Sequence, residues 1–271
     1  MAVADTGRAV AAAGKVLVTY NDAIANVTLC HPGRLNAITV AMWHSLTAVF
    51  TDLSANTRLR CVVISGDGGN FAAGADIREF PQQRADRAGV VRYHTQILAP
   101  ALDAIASCQH PVIAQIEGVC VGGGLEIASR CDLRIAASSA RFGVPINRLG
   151  FPMAPEEMRG LLALAGPAVT LELLLEGRVF DAAEAFSKGL LTRVLPDHKL
   201  RDDVMQTAQR LAVGAPLAAR INKRTVARLR DSPQALTPAD LQYMFDYAES
   251  RDHQEGVAAF LAGRKPIFSG D

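Results

Sequence analysis

The strongest constraint in this sequence is an alternation: short apolar runs of the buried-strand kind, each followed by a helical pattern, with glycine-rich stretches at two of the strand exits. Residues 61–65 read as one such strand and run into Gly66-Asp-Gly-Gly69. A helical pattern carried by Val91, His94, Leu98, Ala101 and Ile105 comes next. Pro111 opens a second strand over 112–116, whose exit is Glu117-Gly-Val-Cys-Val-Gly-Gly-Gly124, where a helix is predicted to start. Residues 133–137 read as a third strand. Strand, crossover helix and strand in this order predict right-handed βαβ units and an α/β core.

Upstream, 15–20 and 24–30 read as strands of a hairpin turning at Asn21-Asp22. A helix with Met42, Leu46, Val49 and Leu53 on one face is predicted after them, with Thr39 as its cap. Beyond about residue 150 the pattern is mostly helical. Asp181-Ala-Ala-Glu184 is a capping box, Gly189 is placed to end that helix, and 190–195 reads as a short strand. After 200 only helices are suggested: Leu200, Val204, Ala208 and Leu211; then Leu217, Ile221 and Thr225; then a run capped by Thr237-Pro-Ala-Asp240; and a last one capped by Asp252-x-x-Glu255. The expected organisation is an N-terminal extension over 1–14, poorly ordered, a core over 15–199, and a helical region over 200–271.

Several function classes are disfavoured at this level. Twenty-eight Lys plus Arg against 27 Asp plus Glu leave a formal charge of +1, which supplies no general attraction for nucleic acid or an anionic membrane. No stretch approaches ~18 uninterrupted apolar residues, and the Ala-rich start lacks the features of a secretory signal. Five cysteines, at 30, 61, 108, 120 and 131, form no C-x-x-C pair, so reduced thiols and a cytoplasmic address are expected. No Walker loop or G-x-S-x-G elbow occurs, and Gly66, Gly68 and Gly69 do not complete G-x-G-x-x-G. None of the six histidines sits in an H-x-x-x-H pair, so no bound metal is expected.

Two glycine-rich segments carry the chemistry, Asn70-Phe-Ala-Ala-Gly-Ala-Asp-Ile77 and Gly118-Val-Cys-Val-Gly-Gly-Gly-Leu-Glu126. Side-chain-free peptide units at a helix start present unpaired N–H groups to an anion or to an oxygen gaining negative charge. The same glycines also serve tight strand-to-helix turns and close packing, and either segment alone is explained as well by that role.

Together with other stretches, these segments resemble the crotonase (enoyl-CoA hydratase/isomerase) superfamily. The matching stretches are Leu35-Asn36-Ala37, Phe71-Ala-Ala-Gly-Ala-Asp-Ile77, Gly122-Gly-Gly-Leu-Glu126 with Cys131-Asp132, Phe142-Gly143 with Pro145, Gly177-Arg-Val-Phe-Asp-Ala-Ala-Glu-Ala185 with Gly189-Leu190, and Arg264-Lys265-Pro-x-Phe268. The resemblance implies an α/β fold, a crotonase-like spiral of repeated ββα/βαβ turns. In that fold 15–199 would bind acyl-CoA, and 200–271 would close the pocket and form trimers, often paired into hexamers. The ligand would be an acyl-CoA thioester, with coenzyme A part of the substrate and no separate cofactor. By the same resemblance the backbone N–H groups of Ala75 and Gly123 would form an oxyanion hole. Leu35, Ala37, Ala73, Asp76, Ile77, Gly122 and Ile146 would border the substrate, and Lys265 and Phe268 would reach coenzyme A, from a neighbouring subunit if not from this one.

Glu126 aligns with one of two catalytic glutamates of the hydratases and is the expected acid/base; without that role it complements a helix start. The second position holds Ile146, which cannot move a proton. Glu156 or, beside it, Glu157 is a candidate replacement, against the plainer reading that both complement a helix N-terminus. Hydration of a 2-enoyl-CoA is the leading expectation. Double-bond isomerisation, which needs one shuttling base, and a catalytically weak acyl-CoA-binding protein are the alternatives. The basic run Arg220, Lys223, Arg224, Arg228 and Arg230 is read as a solvated helix face in preference to a phosphate site.

Overall fold

The computed structural model describes residues 13–271; the first twelve, most of the expected N-terminal extension, lie outside the described residues. The opening hairpin pairs β1 (Lys15–Asn21) with β2 (Ile24–Cys30), turning at Asp22 with φ 51°. Helix α1 (Val40–Ala55) follows, its first turn capped by the Thr39 hydroxyl, which accepts from the Met42 amide at 3.2 Å. Met42, Trp43, Leu46, Phe50 and Leu53 bury one face of it, the i, i+4 stripe of an amphipathic helix. β3 (Cys61–Gly66) then pairs parallel to β2.

The next helical stretch comprises α2 (Phe80–Gln83), α3 (Arg87–Arg92), a π-helical segment over Tyr93–Leu98 and α4 (Ala99–Ser107). The π segment inserts extra rotation, so Tyr93 and Ile97 are buried whereas Val91, placed on the inner face by a uniform 3.6-residue period, is exposed. β4 (Val112–Ile116), β5 (Val119–Val121), α5 (Gly123–Ser129), β6 (Leu133–Ala137) and β7 (Arg141–Gly143) complete the central unit. Then come α6 (Pro155–Glu176), β8 (Val179–Asp181), α7 (Ala182–Ser187) and β9 (Arg193–Leu195), and four helices end the chain: α8 (Asp197–Ala212), α9 (Pro216–Asp231), α10 (Pro238–Phe245) and α11 (Arg251–Leu261).

The strands form a six-stranded sheet, β1-β2-β3-β4-β6-β9, and a three-stranded one, β5-β7-β8. From β4 onward each pass of the chain gives one strand to each sheet, β4 with β5, β6 with β7 and β8 with β9, so the fold is the expected α/β spiral. The small sheet is absent from the sequence reading, because strands of three residues are too short to display a period of two.

One expectation, the cap of the last helix, needs correction, and two others gain detail. Position 200 falls inside α8, whose Leu200, Val204 and Ala208 pack on Cys61, Val63, Ile113 and Ile135 of the large sheet. The last helix is capped by Ser250, which accepts from the His253 amide at 3.1 Å, while Asp252 is buried and accepts from the Ser269 amide at 2.8 Å and the Gly270 amide at 3.1 Å. Helix α6 is long and apolar enough to cross a membrane by length and composition, a stretch that counting uninterrupted apolar residues passes over. A break at Gly166 (φ 72°, ψ 175°) followed by Pro167 divides it into pieces over 155–165 and 167–176, each short of the ~20 residues a bilayer core requires.

Candidate active site

The site is framed by backbone. Residues 71–76 are clamped from one side by the 35–38 loop, through Ala73 N to Leu35 O at 2.9 Å, Ile38 N to Gly74 O at 2.8 Å and Asp76 N to Ile38 O at 2.9 Å. From the other side β5 holds them, through Ala72 N to Val119 O at 2.9 Å and Val121 N to Ala72 O at 3.1 Å. The 35–38 loop is fixed by Asn36, which is buried with φ 55°, donates to the carbonyls of Asp67 (2.8 Å) and Asn70 (2.7 Å) and accepts from the His31 amide (3.0 Å). Asn36→Ala leaves three backbone groups without their side-chain partner, the buried His31 amide among them, and puts alanine in a left-handed conformation. A loss of about 3 kcal/mol is expected, read from denaturant unfolding.

Within this frame the amides of Ala75 and Gly123 lie side by side. A methyl built on Gly123 would stand 3.4 Å from Ala75 N, and one built on Gly74 (φ 95°) 3.5 Å from Gly123 N. Gly123 is the first residue of α5, where an amide has no partner within the helix. Neither amide donates to an acceptor among the described residues. Two adjacent free donors are what an oxygen gaining negative charge requires.

They open on a cavity of about 80 Å³, several times the room one water needs. Its wall includes the expected Ala73, Ala75, Ile77, Gly122, Gly123, Glu126 and Ile146. Glu126 is 5% exposed and its Oε2 has no hydrogen-bond partner. Burial pushes its carboxyl well above the ordinary carboxylate range, the charge of Glu157 adds to the rise, and Arg84 opposes it. Glu157, carried in by α6, is 4% exposed, lines the same cavity, and its Oε1 contacts Nδ1 of His94 on the π segment.

Glu156 is not brought to this cavity. It points outward and is held by Arg159 at 2.6 and 3.1 Å, which keeps its carboxyl below the usual range. Neighbours on a helix project about 100° apart, so only one of the two can face α5, and that one is Glu157. Leu35 and Ala37 frame the site through backbone without lining it. Asp76 turns away to accept from Arg78 Nε at 2.9 Å, which holds its carboxyl below the ordinary range. Lys265 is exposed, and Phe268 lines a separate apolar hollow of about 540 Å³ with Leu217, Tyr247 and Val257; neither residue reaches the cavity of its own chain.

Residues without a sequence signal complete the wall: Arg84, Phe80, Phe151 and, behind Glu157, His94. They lie outside the quoted motifs, and His94 looked like one more position of a core stripe. The basic run on α9 serves the fold. Lys223 binds Asp132 at 2.7 Å, Arg228 binds Asp240 at 3.2 Å, Arg220 donates to Thr57 O at 3.2 Å, and Arg224 covers the Tyr243 ring at 3.9 Å. The five cysteines are free thiols, and burial pushes those of Cys61 and Cys131 up to about 12, which makes them poor nucleophiles. Among the described residues no three His, Cys, Asp or Glu side chains gather to hold a metal ion.

A family model described as enoyl-CoA hydratase/isomerase matches residues 19–271. A relative from Rhizobium meliloti named probable enoyl-CoA hydratase is 32% identical over 254 residues, covering 93% of this chain and 97% of its own. Among solved structures, an enoyl-CoA hydratase/carnithine racemase from Magnetospirillum magneticum superposes with a TM-score of 0.92 at 44% identity over 94% of this chain and 96% of that one. An enoyl-CoA hydratase/isomerase family protein from Hyphomonas neptunium gives 0.89 at 35% identity, covering 94% and 98%.

Proposed function

Since the chain belongs to the enoyl-CoA hydratase/isomerase family, we propose that its cavity receives a short 2-enoyl-CoA and adds water across the double bond. The observation that carries this reading is two buried carboxyls, Glu126 and Glu157, on one cavity floored by two unpartnered amides. The missing carboxylate at 146 is replaced from α6, eleven positions later in the chain.

In the proposed reaction the thioester oxygen accepts from the Ala75 and Gly123 amides. Glu157 takes a proton from water, the hydroxyl oxygen bonds to the β-carbon, and the π electrons move toward the thioester, whose oxygen gains the charge the amides stabilise. Glu126, kept protonated by its surroundings, then donates to the α-carbon and the carbonyl re-forms. His94 holds Glu157 toward the cavity. Coenzyme A arrives as part of the substrate, so no separate cofactor is involved. Exposed Phe260, Leu261 and Ile267 support self-association of the C-terminal region, which would carry Lys265 and Phe268 to another protomer.

Isomerisation of a 3-enoyl-CoA through the same enolate is the second reading, favoured by the isoleucine at 146. Incubation with crotonyl-CoA and with a 3-enoyl-CoA in deuterated water, followed by mass and absorbance, separates them. The expected result is loss of the conjugated absorbance with gain of one water and one α-deuterium from crotonyl-CoA. Conversion of the 3-enoyl ester to a conjugated ester without gain of water would replace hydration by isomerisation. Binding of either ester without turnover would leave only an acyl-CoA-binding protein.

A further inference from the structure

We propose that Arg84 reads a carboxylate at the far end of the acyl group, so that the preferred ester is a short enoyl-CoA bearing a terminal carboxylate. The inference rests on the acyl-CoA reading above and adds the substrate class to it.

Arg84 is placed as a recognition group. Its Cζ lies 3.8 Å from the centre of the Phe80 ring, 4.2 Å from Tyr93 and 4.9 Å from Phe151. Phe80 in turn packs edge-on against Tyr93 and Phe151, with centroids 6.0 and 5.9 Å apart. This cage holds the guanidinium and stabilises its charge by cation–π attraction, and Arg84 is part of the cavity wall. Other arginines of the fold are spent on carboxylates: Arg130 on Asp103, Arg159 on Glu156, Arg178 on Glu184, Arg193 on Asp203. Among the described residues the Arg84 side chain has no salt bridge, and its Nε is buried without a hydrogen-bond partner.

Glu126 does not use it. Glu126 and Arg84 both line the same small cavity, and Glu126 Oε2 and Arg84 Nε are both buried without a partner, so these two atoms do not satisfy each other. A buried donor without an acceptor is costly until a ligand supplies one. A guanidinium with its faces held by rings keeps its planar fork for a carboxylate, which it can bind through two parallel hydrogen bonds. An alkyl tail of the same length would leave that donor unpaired, the situation in which a polar site discriminates strongly.

Binding is measured calorimetrically with butanoyl-CoA and with its counterpart carrying a carboxylate on carbon 4, both saturated and therefore inert to hydration. Turnover is compared on trans-2-butenoyl-CoA and 4-carboxy-2-butenoyl-CoA. The wild type is expected to favour the carboxylated member at least about tenfold in both measurements. In Arg84→Met that ratio falls to within about twofold of unity, and Arg84→Lys, which keeps the charge without the fork, lies between. Equal or weaker binding of the carboxylated ester by the wild type overturns the proposal, as does an unchanged ratio in Arg84→Met; the wild-type ratio decides alone if that variant does not fold. Failure of both esters to bind overturns the acyl-CoA reading itself, an outcome distinct from equal binding.

Discussion

Glu126→Gln is expected to lower kcat on crotonyl-CoA by about 10²- to 10⁴-fold, the range a positioned acid or base contributes, while the protein becomes no less stable. The physical reason lies in where this carboxyl sits. It is 5% exposed, one oxygen is unpartnered, and Glu157 stands close enough to disfavour its ionisation. A group in that setting is biased toward its protonated form, and glutamine keeps its shape while removing the proton. The pH dependence has a definite sign. The acid form is the active one, so kcat/KM falls as pH rises through the elevated value, and the residual activity of Glu126→Gln lacks that alkaline limb.

Stability moves the other way. A carboxyl whose value in the fold lies above its unfolded value contributes stability that is present at low pH and lost as pH rises through the folded value. Glutamine has nothing to ionise there, so the Tm of the variant relative to wild type should climb as pH rises from the ordinary carboxylate range through the elevated value. A variant that loses activity and also melts lower at every pH would mark Glu126 as a structural residue. Glu157→Gln is expected to lower kcat in the same range, since the water loses its base.

How much of this was readable from the sequence follows from the length scale of each signal. The strand over 112–116, the hairpin and α1 with its Thr39 cap are local features longer than one period, and the structure places them where the sequence does. The box at Thr237 and Asp240 is likewise complete, with both reciprocal bonds made. The family motifs brought Ala75, Gly123 and Glu126 to one cavity because their spacing encodes backbone turns. What the sequence hid depends on rotation. Whether Glu156 or Glu157 faces inward is set by the docking of α6 on α5, and one residue of helix is about 100°. His94 meets Glu157 because a π segment offsets the face a regular helix would present. Arg84 follows the short α2 in no periodic pattern, and its cage draws on residues as distant in sequence as Phe80 and Phe151.

Gly123→Ala is expected to lower kcat/KM by about 10²- to 10³-fold, the usual effect of losing one donor of an oxyanion hole, with the fold retained. The backbone of Gly123 is not among the positive-φ glycines, so alanine fits its conformation. Its methyl, however, would sit 3.4 Å from Ala75 N and 3.1 Å from Cζ2 of Trp43, in the space the thioester oxygen needs. The Trp43 ring must give by a few tenths of an ångström, so a modest drop in Tm accompanies the loss. Gly124→Ala is the control from the next position. There the added methyl would meet the Ala72 carbonyl oxygen at 2.4 Å, a backbone atom of the clamp that cannot move aside, so this variant should lose stability far more than Gly123→Ala. Paired thermal melts and rates separate the two. A Gly123→Ala protein that retains kcat/KM within tenfold of wild type would mean that the two amides do not bind the reacting oxygen, and the proposed catalysis would then have to be built on another part of the cavity.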